Sequence, residues 1–273
     1  MFRDILLGIG TLLFAFAPPL GAQETISDED QTAIDGALSR GLNLYLYDQA
    51  AWHGTDALRE DVTDLSKTGI RGWVINEVDA GHEVVFYRPT QKGFEAVWSG
   101  VYAGRPGEVL DRTIYQPGER VFTEMEASKA LANSLVREQE FKRCSAKPFN
   151  SVVMATGKGD GSLYVYYLVP QESVDTVPLG GHYRFEVKGG KVIGQRTFTN
   201  SCISMPLKGK DGGDEPEALM ISHLLDPVPT EIHVFSTFAA GVPIYVMTTQ
   251  NDLVWVNELV EGQPRLRLIK EGL

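Results

Sequence analysis

Cys144-Ser145-Ala146-Lys147-Pro148-Phe149-Asn150 and Phe198-Thr199-Asn200-Ser201-Cys202 bound the stretch of this chain with the clearest patterning. They hold its only two cysteines. Between them, residues 163–169 are β-branched and aromatic, as expected of a strand buried on both faces. Tyr183, Phe185 and Val187 then alternate with His182, Arg184 and Glu186, and Gly189-Gly190 fits a two-residue hairpin turn before a return strand over 192–199. A Cys144–Cys202 disulfide would tie the end of a helix to the end of that hairpin. Closing a loop of this length contributes roughly 4 kcal/mol in chain-entropy terms.

Working outward toward the N-terminus, Thr123 with Glu126 forms a capping box. It opens a helix running to about residue 143, with Ala127, Leu131, Leu135 and Gln139 on one side. Before it lie strand patterns at 73–75, 83–87 and 94–99 and a weaker one at 108–114, together an antiparallel meander. Before that, Ser27-Asp28-Glu29-Asp30 caps a helix that carries Ile34, Leu38, Leu42, Tyr45 and Leu46 at helical spacing. Trp52-His53-Gly54-Thr55-Asp56 reads as its stop and as the cap of a second helix over 57–65. Toward the C-terminus come a polar, glycine-rich loop at 208–216, an apolar stretch at 219–223 and a rigid Asp226-Pro227-Val228-Pro229 turn. Strands are expected at 230–238, 243–248 and 253–256. The order helix–strands–helix–strands predicts an α+β fold with largely antiparallel sheet. It is read as a single domain over 23–273, with sub-domains 23–120 and 121–273 as the alternative division.

Residues 1–22 have the layout of a signal peptide: Arg3, an apolar run from Ile5 to Ala17, then Leu20-Gly21-Ala22 before a cut. The run is too short to span a bilayer comfortably, and no later segment is apolar for long enough. A periplasmic or secreted location follows as the expectation, and two cysteines in an exported chain favour the disulfide. A net charge of −11 argues against nucleic acid as a partner.

Three segments carry a resemblance: Tyr47-Asp48-Gln49-Ala50-Ala51-Trp52-His53-Gly54-Thr55-Asp56, Lys147-Pro148-Phe149-Asn150, and His223 through Phe235. Together they resemble a group of secreted proteins of Gram-negative bacteria to which no activity is assigned. The resemblance implies export and a shared fold, and it supplies no catalytic residues.

Three constellations could carry chemistry. His223, Asp226 and His233, with Glu231 nearby, offer imidazoles and carboxylates of the kind that hold zinc, but at a spacing that matches no metal motif. Asp48, His53 and Asp56 offer a carboxylate that could orient a general-base imidazole, with no Gly-x-Ser-x-Gly elbow to complete it. His182, Arg184 and Glu186 share the polar face of the hairpin, where a regular register sets His182 opposite Thr197 and Arg184 opposite Gln195. No cofactor is called for. With no reaction motif, the expectation is a non-enzymatic exported protein that binds a small ligand or an envelope component. A hydrolase built on the histidines and an inhibitor or immunity-type protein are the alternatives. The intact mass of the exported protein checks the first expectation: it should lack residues 1–22, and a mass that retains Met1 to Ala22 would refute the signal peptide.

Overall fold

The computed structural model describes residues 26–104, 107–209 and 213–269. The 1–22 segment and part of the 208–216 loop lie outside the described residues. The fold is α+β, with the helices and the largely antiparallel sheets expected from the pattern.

Asp28–Asp61 form one continuous helix, α1. Ser27 caps it by accepting the Asp30 N–H at 3.0 Å, and Asp28, Glu29 and Asp30 sit at its positive end. The expected break at 52–56 does not occur. Gly54 was read as a stop, but it lies within the helix where α1 crosses Val84: a Cβ there would sit 2.3 Å from the valine Cγ1. Gly41 marks a second close approach, with Val234 Cβ 2.4 Å from where its own Cβ would be. These glycines let backbones meet rather than ending the helix.

The meander is observed as β1 (Gly72–Val78), β2 (Gly81–Thr90), β3 (Gly93–Tyr102) and β4 (Val109–Ile114), paired in that order. The capping box at Thr123 and Glu126 opens α2 (Glu124–Arg137), which ends short of residue 143. The expected apolar side is not the buried one. Leu131 is 46% exposed, whereas Lys129, Ala130, Asn133 and Val136 are buried. The helix lies between the meander and the next sheet, so small residues face inward, and the buried polar residues find partners. Lys129 Nζ donates to the Ile75 carbonyl at 2.6 Å, and Asn133 Nδ2 donates to Ser151 Oγ at 3.1 Å.

The cysteine-bounded block supplies β5 (Asn150–Ala155), β6 (Leu163–Leu168), β8 (Tyr183–Lys188) and β9 (Lys191–Thr197) in one antiparallel sheet. A short pair, β7 (Thr176–Pro178) with β10 (Ser204–Pro206), lies beside it. The Gly189-Gly190 turn is present, with φ values of 55° and 72°. A bulge between Glu186 and Val187 shifts the hairpin by one residue, so Arg184 faces Arg196 and not Gln195, and Tyr183 instead of His182 faces Thr197. Cys144 and Cys202 are bonded, with Cα atoms 5.4 Å apart.

The last unit is β11 (Leu219–His223), α3 (Glu231–Ala240), β12 (Ile244–Thr248), β13 (Leu253–Val260) and β14 (Gln263–Leu268). The strand expected over 230–238 is α3. Every residue from Glu231 to Thr237 is buried, which suits a short core helix as well as a strand. Topology decides between them. β11 and β12 are parallel neighbours, and a parallel pair needs a crossover. Thr230 starts the helix, and Gly241 at φ 70° ends it. One core cluster takes in Leu44 and Leu58 of α1, Trp98 of β3, Tyr166 of β6 and Ile232 of α3, so it draws on both sides of residue 120.

Gly41→Ala should therefore destabilise. Overpacking costs about 1–3 kcal/mol, against a helix-propensity gain of about 1 kcal/mol. Gly36→Ala, whose Cβ meets the Arg40 guanidinium and no packed core side chain, should lower the melting temperature less than Gly41→Ala does. Equal shifts for the two variants in a thermal melt would show that Gly41 is not a contact glycine.

Candidate functional site: a cleft where one helix outruns the other

α1 and α3 run side by side in the same direction. Arg40 meets Glu231, Gly41 meets Val234, and Tyr45 stacks on Phe238 with ring centroids 4.6 Å apart. The contacts thus advance along both helices together. Then α3 ends at Ala240, while α1 continues to Asp61. Asp48, Gln49 and Trp52, which share the Tyr45 face of α1 at helical spacing, are left without a helix opposite them. The segment from Val169 to Pro178 and Asn150 close the other side. The result is a cleft of about 500 Å³.

Its walls are aromatic, and the charges among its described lining residues are carboxylates. Tyr45, Trp52, Phe235 and Phe238 line it, Asp48 and Glu172 are its acids, and among the described residues no lysine, arginine or histidine lines it. Trp52 is 58% exposed at the rim. Asp48 is partly buried and accepts one hydrogen bond, from Asn150 Nδ2 at 3.2 Å. Burial pushes its carboxyl up to about 6, and the Asn150 bond only partly offsets this. The Tyr45 phenol is held above its usual range by burial and then by the nearby Asp48 charge.

The cleft's outer wall is fastened at both ends. His182 is fully buried, not on the polar hairpin face where the sequence placed it. Its Nδ1 accepts the Val169 N–H at 3.1 Å, and its Nε2 lies 3.1 Å from the Pro178 carbonyl. One imidazole thus staples the two ends of the Val169–Pro178 segment. Burial lowers its pKa to about 4, which keeps it neutral and able to do both. From outside, Ser145 Oγ donates to Glu172 Oε1 at 2.8 Å, and Lys147 Nζ donates to the Glu172 carbonyl at 3.3 Å. These anchors follow directly on the disulfide-bonded Cys144.

The other constellations are placed elsewhere. His53 stacks between Trp52 and Tyr102 and accepts the Gly107 N–H through Nδ1, away from the Asn150 bond that engages Asp48. Asp56 pairs with Arg59 along the helix surface. His223, Asp226 and His233 do come together: His223 Nε2 is 2.8 Å from Asp226 Oδ2, and the two imidazole rings meet edge to face at 4.7 Å. Each is already engaged by partners within the fold. His233 Nδ1 accepts the Thr230 N–H at 2.9 Å, the part a glutamate plays in an ordinary capping box. Asp226 takes two bonds from Arg196 at 2.7 Å each. Among the described residues, no group of three His, Cys, Asp or Glu is placed to hold a metal ion. Arg184 is drawn to the buried Glu231, which also receives Arg40 and the Tyr166 hydroxyl.

No family model, curated protein or solved structure matches this chain. Phe238 and the Val169–Pro178 wall were not singled out from sequence. The Tyr45, Asp48, Gln49 and Trp52 spacing was the available signal, and it was hidden by breaking the helix at Trp52.

Asp48→Asn keeps the acceptor for Asn150 and removes the buried charge. A carboxyl raised from 3.8 to about 6 holds its proton more tightly when folded, so its cost is absent below pH 4, grows up to pH 6 and stays constant above. The variant should be more stable than the parent by up to about 3 kcal/mol at pH 7.5. The gap should close on acidification to pH 4. A melting-temperature difference that does not change with pH would contradict the shifted carboxyl.

Proposed function

We propose that this chain is an exported, non-enzymatic binding protein that takes a small molecule in the cleft between α1, α3 and the Val169–Pro178 segment. The single observation that carries the reading is the cleft itself. Its volume lies within the usual range of small-molecule sites, and it combines mostly apolar walls with a few placed polar groups. Export is supported by the apolar leader pattern and by the Cys144–Cys202 bond, which persists in oxidising compartments. No helix among the described residues is long and apolar enough to cross a membrane.

The hydrolase alternative draws on one specific feature, the raised carboxyl of Asp48, since perturbed acids in clefts are catalytic candidates. It is weaker because none of His53, His182, His223 and His233 lines the cleft, which leaves Asp48 without an imidazole partner there. The inhibitor alternative expects a flat acidic face, and the cleft runs against it.

A thermal-shift screen of fragment-sized aromatic and aliphatic compounds tests the reading. A ligand at a hundred times its Kd adds about 2.7 kcal/mol. For a chain of this size that is a rise of roughly 5–10 °C. Trp52→Ala, at an exposed position, should leave the unliganded melting temperature within about 2 °C and weaken binding roughly tenfold. A screen without hits, or hits indifferent to Trp52→Ala, would refute the cleft as a ligand site.

A further inference from the structure

Resting on that reading, we infer that the ligand carries a cationic nitrogen, as an amine or quaternary ammonium group, seated between Asp48 and the Tyr45–Phe238 ring pair. Three features of the cleft converge on this charge. The first is its ionisable inventory: among the described residues, the acids Asp48 and Glu172 line the space and no basic side chain does. Asp48 makes no ion pair among the described residues, and Asn150 satisfies only its Oδ1. The second is the aromatic lining. Tyr45, Trp52 and Phe238 line the same space as the carboxylate, and such rings attract cations through their quadrupoles, most strongly when the site is partly dry. The third is α3, whose C-terminal turn, with Phe238 and Ala239, borders the cleft. A helix C-terminus carries about half a negative charge.

Other ligand chemistries fit less well. An anion would meet the Asp48 carboxylate and a helix C-terminus, with no basic residue among the described lining residues to offset them. A neutral apolar ligand would fill the aromatic volume but leave the Asp48 carboxylate buried without a counter-charge, which is costly. A cation satisfies the carboxylate and the rings together. The net charge of −11 adds a long-range field of the same sign.

Equilibrium dialysis of the full chain against two probes of matched shape tests the inference. Benzyltrimethylammonium carries the charge, and neopentylbenzene replaces its nitrogen with carbon. At pH 7.5 the cation should bind at least tenfold more tightly than its neutral counterpart. Asp48→Asn should remove most of that preference while leaving neopentylbenzene unchanged, and Trp52→Ala should weaken both probes. Equal binding of the two, or preference for the neutral one, overturns the cation and leaves the ligand site standing. Binding of neither probe, with the cation at millimolar concentration and the hydrocarbon at its lower solubility limit, also overturns it, and if the fragment screen is silent as well, the ligand-site reading falls with it. A charge preference that survives Asp48→Asn would place the recognition elsewhere and refute the assignment.

Discussion

Glu231 is the group on which the arrangement of this molecule depends. It is the first residue of α3, is only 1% exposed, and sits among Arg40 from α1, Arg184 from β8 and the Tyr166 hydroxyl from β6. Burial drives its carboxyl upward, but the two guanidiniums outweigh that, and the net shift is downward. The same logic repeats five residues earlier. Asp226 is partly buried, yet His223 and Arg196 carry it below its ordinary value. The hairpin bulge that sets Arg184 opposite Arg196 would by itself be unfavourable, since like charges face each other. Each arginine is instead taken by one of these carboxylates. The two arginines therefore clasp the Asp226–Glu231 turn from both ends and fix where α3 begins. Removing one partner from such a set strands a buried charge, at roughly 3–5 kcal/mol.

Everything at the cleft follows from where α3 begins and ends. With its start fixed at Glu231, the Gly41 contact sets how closely it lies on α1, and the Tyr45–Phe238 stack falls along the same line of contact. Gly241 ends it while α1 continues. The remaining wall is not a regular element and has to be held by other means. His182 fastens its two ends, and the residues after Cys144 grip its middle. The disulfide therefore acts on the site at one remove, by holding the segment that carries Ser145, Lys147 and Asn150.

The fold class was legible because the decisive patterns were local. The capping box at Thr123, the Gly189-Gly190 turn and the alternation of the central strands need no tertiary information. What could not be read were features whose meaning depends on distant residues. Gly54 looks like a helix stop until Val84 is known to lie against it. The 230–238 segment looks like a strand until β11 and β12 are known to be parallel neighbours needing a crossover. Lys129 and Asn133 look like a solvated face until their partners Ile75 and Ser151 appear. Asp48 and Asn150 both lay in segments that drew notice from sequence, but their meeting, 102 residues apart, did not follow from either.

The two buried acids of this region are treated in opposite ways, and the contrast gives Asp48 its significance. Glu231 is the more enclosed, yet it is held ionised by two arginines at the centre of the fold. Asp48 is less enclosed, yet burial raises it toward neutrality, and a single amide is its only hydrogen-bond partner among the described residues. The chain thus neutralises buried carboxylates efficiently where packing requires it, and among the described residues it supplies no cation at the cleft. An uncompensated acid lowers stability, and a substitution to asparagine would relieve that cost without disturbing the backbone. Residues that lower stability in this way and sit in a concave, aromatic surface are the ones expected to serve binding instead of folding. The cost at Asp48 is removed when a cation enters, whereas at Glu231 the compensation is already built in. The missing counter-charge is therefore the physical basis for reading this cleft as a site.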